Sequence, residues 1–342
     1  MDRSTAFLLV DTDVHNYPNA LADLMPFLSA RWQDYAKQYG LQLPGVSIYP
    51  KVFAAAARRD AWPPDGSKPG SDPSFAVKQL LDAWSIQRAI LNPLVAASGV
   101  HNVELGNALA RSVNEWTAAH WLDADARWRG AIVVNTRDPE GAAAEIRHWS
   151  KDRRFVQVLL LVRAHAPYGK RAFWPLLRAA AECDLPITAC GWPSYHIEDH
   201  TTMTQAFETH VVSLICEGVF CEMPSLRVAL IEGGFAWLPG LMWRLDKSWR
   251  GLRSEVPWLV KPPSDYIRDH FRSTKQPMEE PDNPQHLMQI IEMIGRDDFL
   301  MFATDYPHWD FDAPNCTLPN VVPEAMRRGI FSGNAEAFHV LD

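Results

Sequence analysis

Phe7-Leu8-Leu9-Val10-Asp11-Thr12-Asp13-Val14-His15 begins as an apolar strand and ends on acids and an imidazole. Side chains alternate along a strand, so Asp11, Asp13 and His15 are expected on one face. A carboxylate leaves water at a large cost unless it is paired or holds a cation. Two other apolar runs close in the same manner. Leu226-Arg227-Val228-Ala229-Leu230-Ile231 ends on Glu232, followed by Gly233-Gly234. Phe299-Leu300-Met301-Phe302-Ala303-Thr304 ends on Asp305, with His308 three residues later.

Working outward, short apolar runs rich in β-branched residues predict eight strands, at 7–15, 88–93, 129–135, 155–162, 185–190, 226–234, a weak 271–277, and 299–307. Helical patterns separate most of them, clearest at 103–121, 138–150, 172–183, 204–219, 235–250 and 284–295. Asp138-Pro139-Glu140 supplies a cap, a first-turn proline and an acidic first turn for one of these helices. Strands alternating with helices imply a parallel sheet. Eight such units favour a closed (β/α)8 barrel, whose functional face is the C-terminal end of the strands. No GxGxxG follows the first strand, which argues against a dinucleotide-binding domain. The 342 residues read as one domain, 1–342, with a Pro/Gly-rich insertion over about 41–74. Segments 191–203, 261–265 and 279–284 read as loops.

Composition narrows the function. A net charge of -8 disfavours nucleic acid and anionic membranes as partners. The apolar run near the start is too short for a signal peptide or a membrane span. Five scattered cysteines without CxxC spacing fit a reduced, cytoplasmic compartment, with Cys216 and Cys221 expected as buried small side chains. Fourteen tryptophans make a subunit contact plausible.

Each candidate also has a plain alternative. Asp13 and His15 suit Zn, Mn or Fe, or are a cap beside a hydrogen-bonded imidazole. Glu232 is a ligand or a salt-bridge partner, Asp305 a ligand or a turn cap, and His308 a catalytic group or an ordinary loop residue. Their joint position at the ends of strands one, six and eight is what favours chemistry.

DTDVHN (11–16), LRVALIEGGFAWLPGLMWRLD (226–246), LMFATDYPHWDFDAP (300–314) and FSGNAEAF (331–338) resemble the amidohydrolase superfamily, in the branch related to aminocarboxymuconate-semialdehyde decarboxylase. The resemblance implies a distorted (β/α)8 barrel of the metal-dependent hydrolase type. It implies a divalent metal, zinc foremost with Mn or Fe as alternatives, held by Asp13, His15, Glu232 and Asp305, with Asp305 also moving the proton and His308 beside it. The family's strand-five histidine is replaced here. Cys190, or His196 or His200 from the following loop, takes that place, or the ligand is absent. Arg163, His165 and His210 are the candidates for binding a small carboxylate substrate.

The carboxylate-rich subgroup is similar to 2-aminoisobutyric acid hydroxylase, in which two homologous barrels pair. That likeness implies the mononuclear, Zn-type subunit of a hetero-oligomeric non-haem oxygenase. The alternative is a stand-alone decarboxylase or hydrolase, alone or as a homo-oligomer.

Overall fold

The computed structural model describes residues 8–41, 57–161, 164, 166–190, 196–315 and 317–341, with the side chains of 189, 190 and 196–202 outside that description. Eight parallel strands form one sheet in sequence order: β1 Leu9–Val14, β2 Ile86–Leu91, β3 Trp128–Val133, β4 Phe155–Leu161, β5 Ile187–Cys190, β6 Val228–Leu230, β7 Phe271–Thr274 and β8 Leu300–Met301. Backbone bonds then join the two ends of this sheet. Thr12 N–H donates to the Phe302 carbonyl at 3.1 Å, and Asp305 N–H donates to the Asp13 carbonyl at 3.2 Å. His15 N–H completes the seam on the Tyr306 carbonyl at 2.7 Å. The sheet is thus a closed barrel, as expected from the eightfold alternation.

Strand alternation separates two apolar layers. Leu9, Val228, Leu230, Leu300 and Phe302 belong to the main core, shared with the surrounding helices. Val10, Ala229, Ile231 and Met301 have the opposite parity and pack with Ala335 and Phe338 of the final helix Asn334–His339. That helix therefore seals the inner layer. Each such aliphatic or aromatic side chain contributes roughly 1.5–3 kcal/mol by leaving water.

Local chemistry explains the elements. Asp138 accepts from Gly141 N–H and Pro139 opens the helix Pro139–Trp149, as the capping pattern predicts. Asn102 caps the helix Val103–Trp116 through Leu105 N–H. Several boundaries differ from expectation. The stretch 196–203 is the start of a long helix, His196–Cys216, and not a loop. Pro263–His270, expected to begin as a loop, is a helix; Pro263 sits in its first turn, where a missing N–H costs nothing. Strands β6 and β8 are shorter than their apolar runs: the chain turns at Glu232, φ 60°, soon after β6, and the Phe302 N–H beyond β8 donates to the Ile330 carbonyl at 2.9 Å.

Between β1 and β2 the chain makes a helix at Ala30–Tyr39 and another over 73–82, neither of which the periodicity revealed. Residues 42–56 of the expected insertion lie outside the described residues; 57–72 form an irregular segment with a 3-10 helix at Arg59–Ala61 and further turns closed by Gly66 and Ser71. Cys216 is half-buried, but Cys221 is exposed, correcting its expected burial. Its thiol reaches the Trp258 carbonyl at 3.2 Å. No helix among the described residues is long and apolar enough to cross a membrane.

His339 sits at the end of the final helix with 4% exposure. Burial, reinforced by the Arg227 guanidinium, pushes its pKa down to about 3 from 6.5. The folded state therefore refuses a proton that the unfolded chain accepts below pH 6.5. The contribution of His339 to stability is full above that pH and falls as the pH drops toward 3, by about 1.4 kcal/mol per pH unit. His339→Leu is expected to flatten this slope in urea titrations between pH 6 and 4, roughly the span of the shift; parallel slopes in the two proteins would refute the assignment.

Candidate metal centre

The seam that closes the barrel also assembles the site. His15 follows β1, Asp305 follows β8, and the backbone bonds across the seam hold them side by side. His15 Nδ1 faces the Asn92 carbonyl at 2.9 Å. A carbonyl only accepts, so Nδ1 carries the hydrogen and Nε2 is the nitrogen turned toward the acids. Nε2 lies 3.0 Å from Glu232 Oε1, 3.0 Å from Asp305 Oδ1 and 3.4 Å from Asp13 Oδ1. An imidazole whose far N–H is pinned by a carbonyl, with its near nitrogen among carboxylates, is the arrangement found around protein-bound metals.

His308 completes the group. Its ring stacks on His15 at 4.4 Å between centroids, and its Nδ1 lies 2.6 Å from Asp305 Oδ1. One donor atom from each of His15, Glu232, Asp305 and His308 falls within 4.8 Å of the others. Asp13 flanks this set. Its Oδ1 accepts from Asn92 Nδ2 at 2.8 Å, while its buried Oδ2 has no hydrogen-bond partner.

Without a cation the acids oppose one another. Burial, then the Asp305 charge, pushes Glu232 up to about 7. Burial, then Asp310, holds Asp305 well above the usual carboxylate range. Burial works against a charged His15, but Asp13, Asp305 and Glu232 together raise its pKa well above 6.5. Burial and the neighbouring His15 push His308 down to about 4. His15 Nε2, the carboxylate oxygens of Glu232 and Asp305 and the orphaned Asp13 Oδ2 form a mixed donor set that fits a divalent cation, with His308 hydrogen-bonded beside it. Its charge would relieve the crowding.

The supports come from several elements. Glu232 N–H donates to Thr274 Oγ1 at 3.1 Å, and the turn after it is fixed by Glu279, which accepts from Phe235 N–H and Ala236 N–H. Gln276 Nε2 approaches Asp305 Oδ2 at 3.4 Å and donates to Asp310 Oδ2 at 3.0 Å. The fully buried Lys275 ammonium ties Asp312 and Thr317 to the end of β7, anchoring the loop that follows Asp305.

Other expected site residues fall elsewhere. Asp11 is not part of the cluster. The register shifts between Asp11 and Val14, which breaks the strict alternation, and Asp11 instead accepts from Thr304 N–H at 3.0 Å and Thr304 Oγ1 at 2.5 Å. Arg163 and His165 lie outside the described residues. Cys190 ends β5 and His196 opens the next helix, but their side chains, like that of His200, also lie outside the description. His210 accepts from Tyr168 N–H at 3.3 Å and stacks on the Tyr168 ring at 4.7 Å. It lines a small cavity together with Leu230 and Phe271, side chains of the main core. Asn92, Tyr17 and Gln276 were missed by sequence reasoning. Asn92 was detectable, since it ends an apolar strand just as Glu232 does.

The amidohydrolase family model matches residues 10–339. The chain belongs to the amidohydrolase family. As an amidohydrolase it is an enzyme, and its relatives sharpen the comparison. It is 27% identical over 280 residues to a gamma-resorcylate decarboxylase of Polaromonas sp., covering 75% of this chain and 84% of that protein. Among solved structures, 5-carboxyvanillate decarboxylase from Novosphingobium aromaticivorans, complexed with manganese and 4-hydroxy-3-methoxy-5-nitrobenzoic acid, matches with a TM-score of 0.76 at 19% identity, covering 100% of this chain and 98% of that one. A dihydroxybenzoic acid decarboxylase from Polaromonas sp., with bound manganese and 2-nitroresorcinol, matches at TM-score 0.69 and 20% identity, covering 98% and 97%.

Removing the cation should expose the crowding of the acids. Added Mn2+ at about 100 times its Kd is expected to stabilise the EDTA-stripped amidohydrolase by about 2.7 kcal/mol, and Glu232→Gln should lose most of that gain. Identical denaturation curves with and without Mn2+ would remove the metal from this centre.

Proposed function

We propose that the chain catalyses metal-dependent, non-oxidative decarboxylation of a small hydroxylated aromatic carboxylate. The convergence of His15, Glu232, Asp305 and His308 on one point carries the chemistry. The gamma-resorcylate decarboxylase relatives supply the substrate class. They also move the reading away from an oxygenase subunit with a homologous partner barrel and toward the stand-alone decarboxylase. Because two similar decarboxylase structures hold manganese, Mn2+ takes precedence over zinc or iron.

A divalent cation at this centre supplies positive charge that polarises the substrate's oxygens. The protein's own groups do the rest. In the net reaction the bond from ring carbon to carboxylate breaks and its electron pair stays on the ring carbon. CO2 leaves, and one proton is added to that carbon. Asp305 is the proton carrier, because its Oδ1 lies between the two imidazoles while Gln276 approaches its Oδ2. His15, fixed by the Asn92 carbonyl, keeps its Nε2 turned into the site. Glu232 and Asp13 flank it from β6 and β1 and fix the charge balance. The ordered turn at Glu232 keeps that carboxylate from swinging away.

The decisive assay is CO2 release from 2,6-dihydroxybenzoate and 5-carboxyvanillate by Mn2+-loaded protein. Activity is expected to vanish with EDTA, return with Mn2+, and fall about 10²- to 10⁴-fold in Asp305→Asn. Hydrolysis of an amide or lactone, with no CO2 from either acid, would replace decarboxylation by hydrolysis.

A further inference from the structure

Tyr17 lies two residues beyond His15 and is 9% exposed. Its hydroxyl is 2.9 Å from His308 Nε2. The other nitrogen of that ring, Nδ1, faces Asp305 Oδ1 at 2.6 Å. Beside a bound cation the Asp305 carboxylate is ionised and only accepts, so in the metal-loaded protein Nδ1 carries the hydrogen. In a ring with a single hydrogen, Nε2 then accepts from the Tyr17 hydroxyl. That bond selects the tautomer and fixes the ring's orientation.

Tyr17 is in turn held by segment 57–72. Its N–H donates to the Gly70 carbonyl at 2.7 Å. Gly70 has φ +73°, and a Cβ there would lie 2.6 Å from the His15 carbonyl oxygen and 3.0 Å from the Tyr17 ring. Only glycine lets this segment pass so close. The same segment pairs with the other side of the relay: Ala57 bridges to His308, and Arg58 N–H donates to the Pro307 carbonyl at 3.0 Å.

We infer that Tyr17 is a positioning residue of the metal centre: through His308 it holds the Asp305 carboxylate in place, and it makes segment 57–72 part of the centre's scaffold. The inference rests on the metal-centre reading above but not on the substrate named there. Groups that support metal ligands in this way typically alter affinity by about 10- to 100-fold when removed.

The test uses the full chain and needs no substrate. Protein labelled with ¹⁵N-histidine and loaded with diamagnetic Zn2+ reports each ring's tautomer, and His308→Asn identifies the His308 signals by their disappearance. The wild type is expected to show the Nδ1–H form at His308, and Tyr17→Phe a mixture of forms. Mn2+ affinity, read from free Mn2+ by electron paramagnetic resonance, should weaken about tenfold in Tyr17→Phe. In a His308→Asn background the amide still offers Asp305 a donor, while the imidazole through which Tyr17 reaches Asp305 is gone. There, Tyr17→Phe should change affinity by less than about twofold.

An Nε2–H tautomer in the wild type overturns the relay even if the Tyr17 variant fails to fold. Equal losses of affinity in both backgrounds overturn it as well. A wild type that binds no metal overturns both this inference and the proposed function. Metal binding with the expected tautomer but no decarboxylation overturns only the proposed reaction.

Discussion

Everything at the strand ends answers to one constraint: several carboxylates and an imidazole must share a space from which water is excluded. Asp13, Glu232 and Asp305 approach a single nitrogen of His15. Like charges at such distances cannot all persist in a low-dielectric setting without a compensating positive charge. The upward shifts of Glu232 and Asp305 express that conflict. A divalent cation resolves it in one step.

Holding acids in this arrangement uses backbone as well as side chains. Glu232 and Asp305 are both non-glycine residues in the left-handed region. Such residues are uncommon, cost about 1 kcal/mol or more, and persist where surrounding contacts over-determine them. Here the contacts are visible. Thr274 anchors the Glu232 amide, Glu279 holds the turn beyond it, and the Asp13 carbonyl anchors the Asp305 amide. The left-handed kink turns each acid into the site.

The fold was legible because its signal repeats. Eight apolar runs separated by helical patterns leave few architectures open, and a capping pattern such as Asp138-Pro139 marks its helix directly. Asp13, His15, Glu232, Asp305 and His308 were legible because polar residues ending apolar strands are costly without a use. Less visible were features that depend on contacts distant in sequence. The break in alternation after Asp11 comes from pairing with β2, which no local pattern reports. Tyr17 carried no local signal, because its partner His308 lies 291 residues away in sequence. His210 looked available for substrate, yet it meets the Tyr168 backbone and ring, a contact 42 residues away in sequence that no local pattern reports. The helices between β1 and β2 escaped notice because Pro- and Gly-rich sequence surrounds them.

The hydrogen bond from the Asp305 amide to the Asp13 carbonyl joins first strand to last. Its two partners stand near opposite ends of the chain, so ring closure and creation of the cation's binding place are the same event. During synthesis, His15 must wait for more than two hundred further residues before Glu232 exists, and for 290 before Asp305 does. Such remote pairing is slow to form. A half-made barrel has no place to capture metal, and a stray ion met before closure finds only scattered ligands. Loading with the ion thus becomes a late checkpoint, available only to chains whose two ends have found each other.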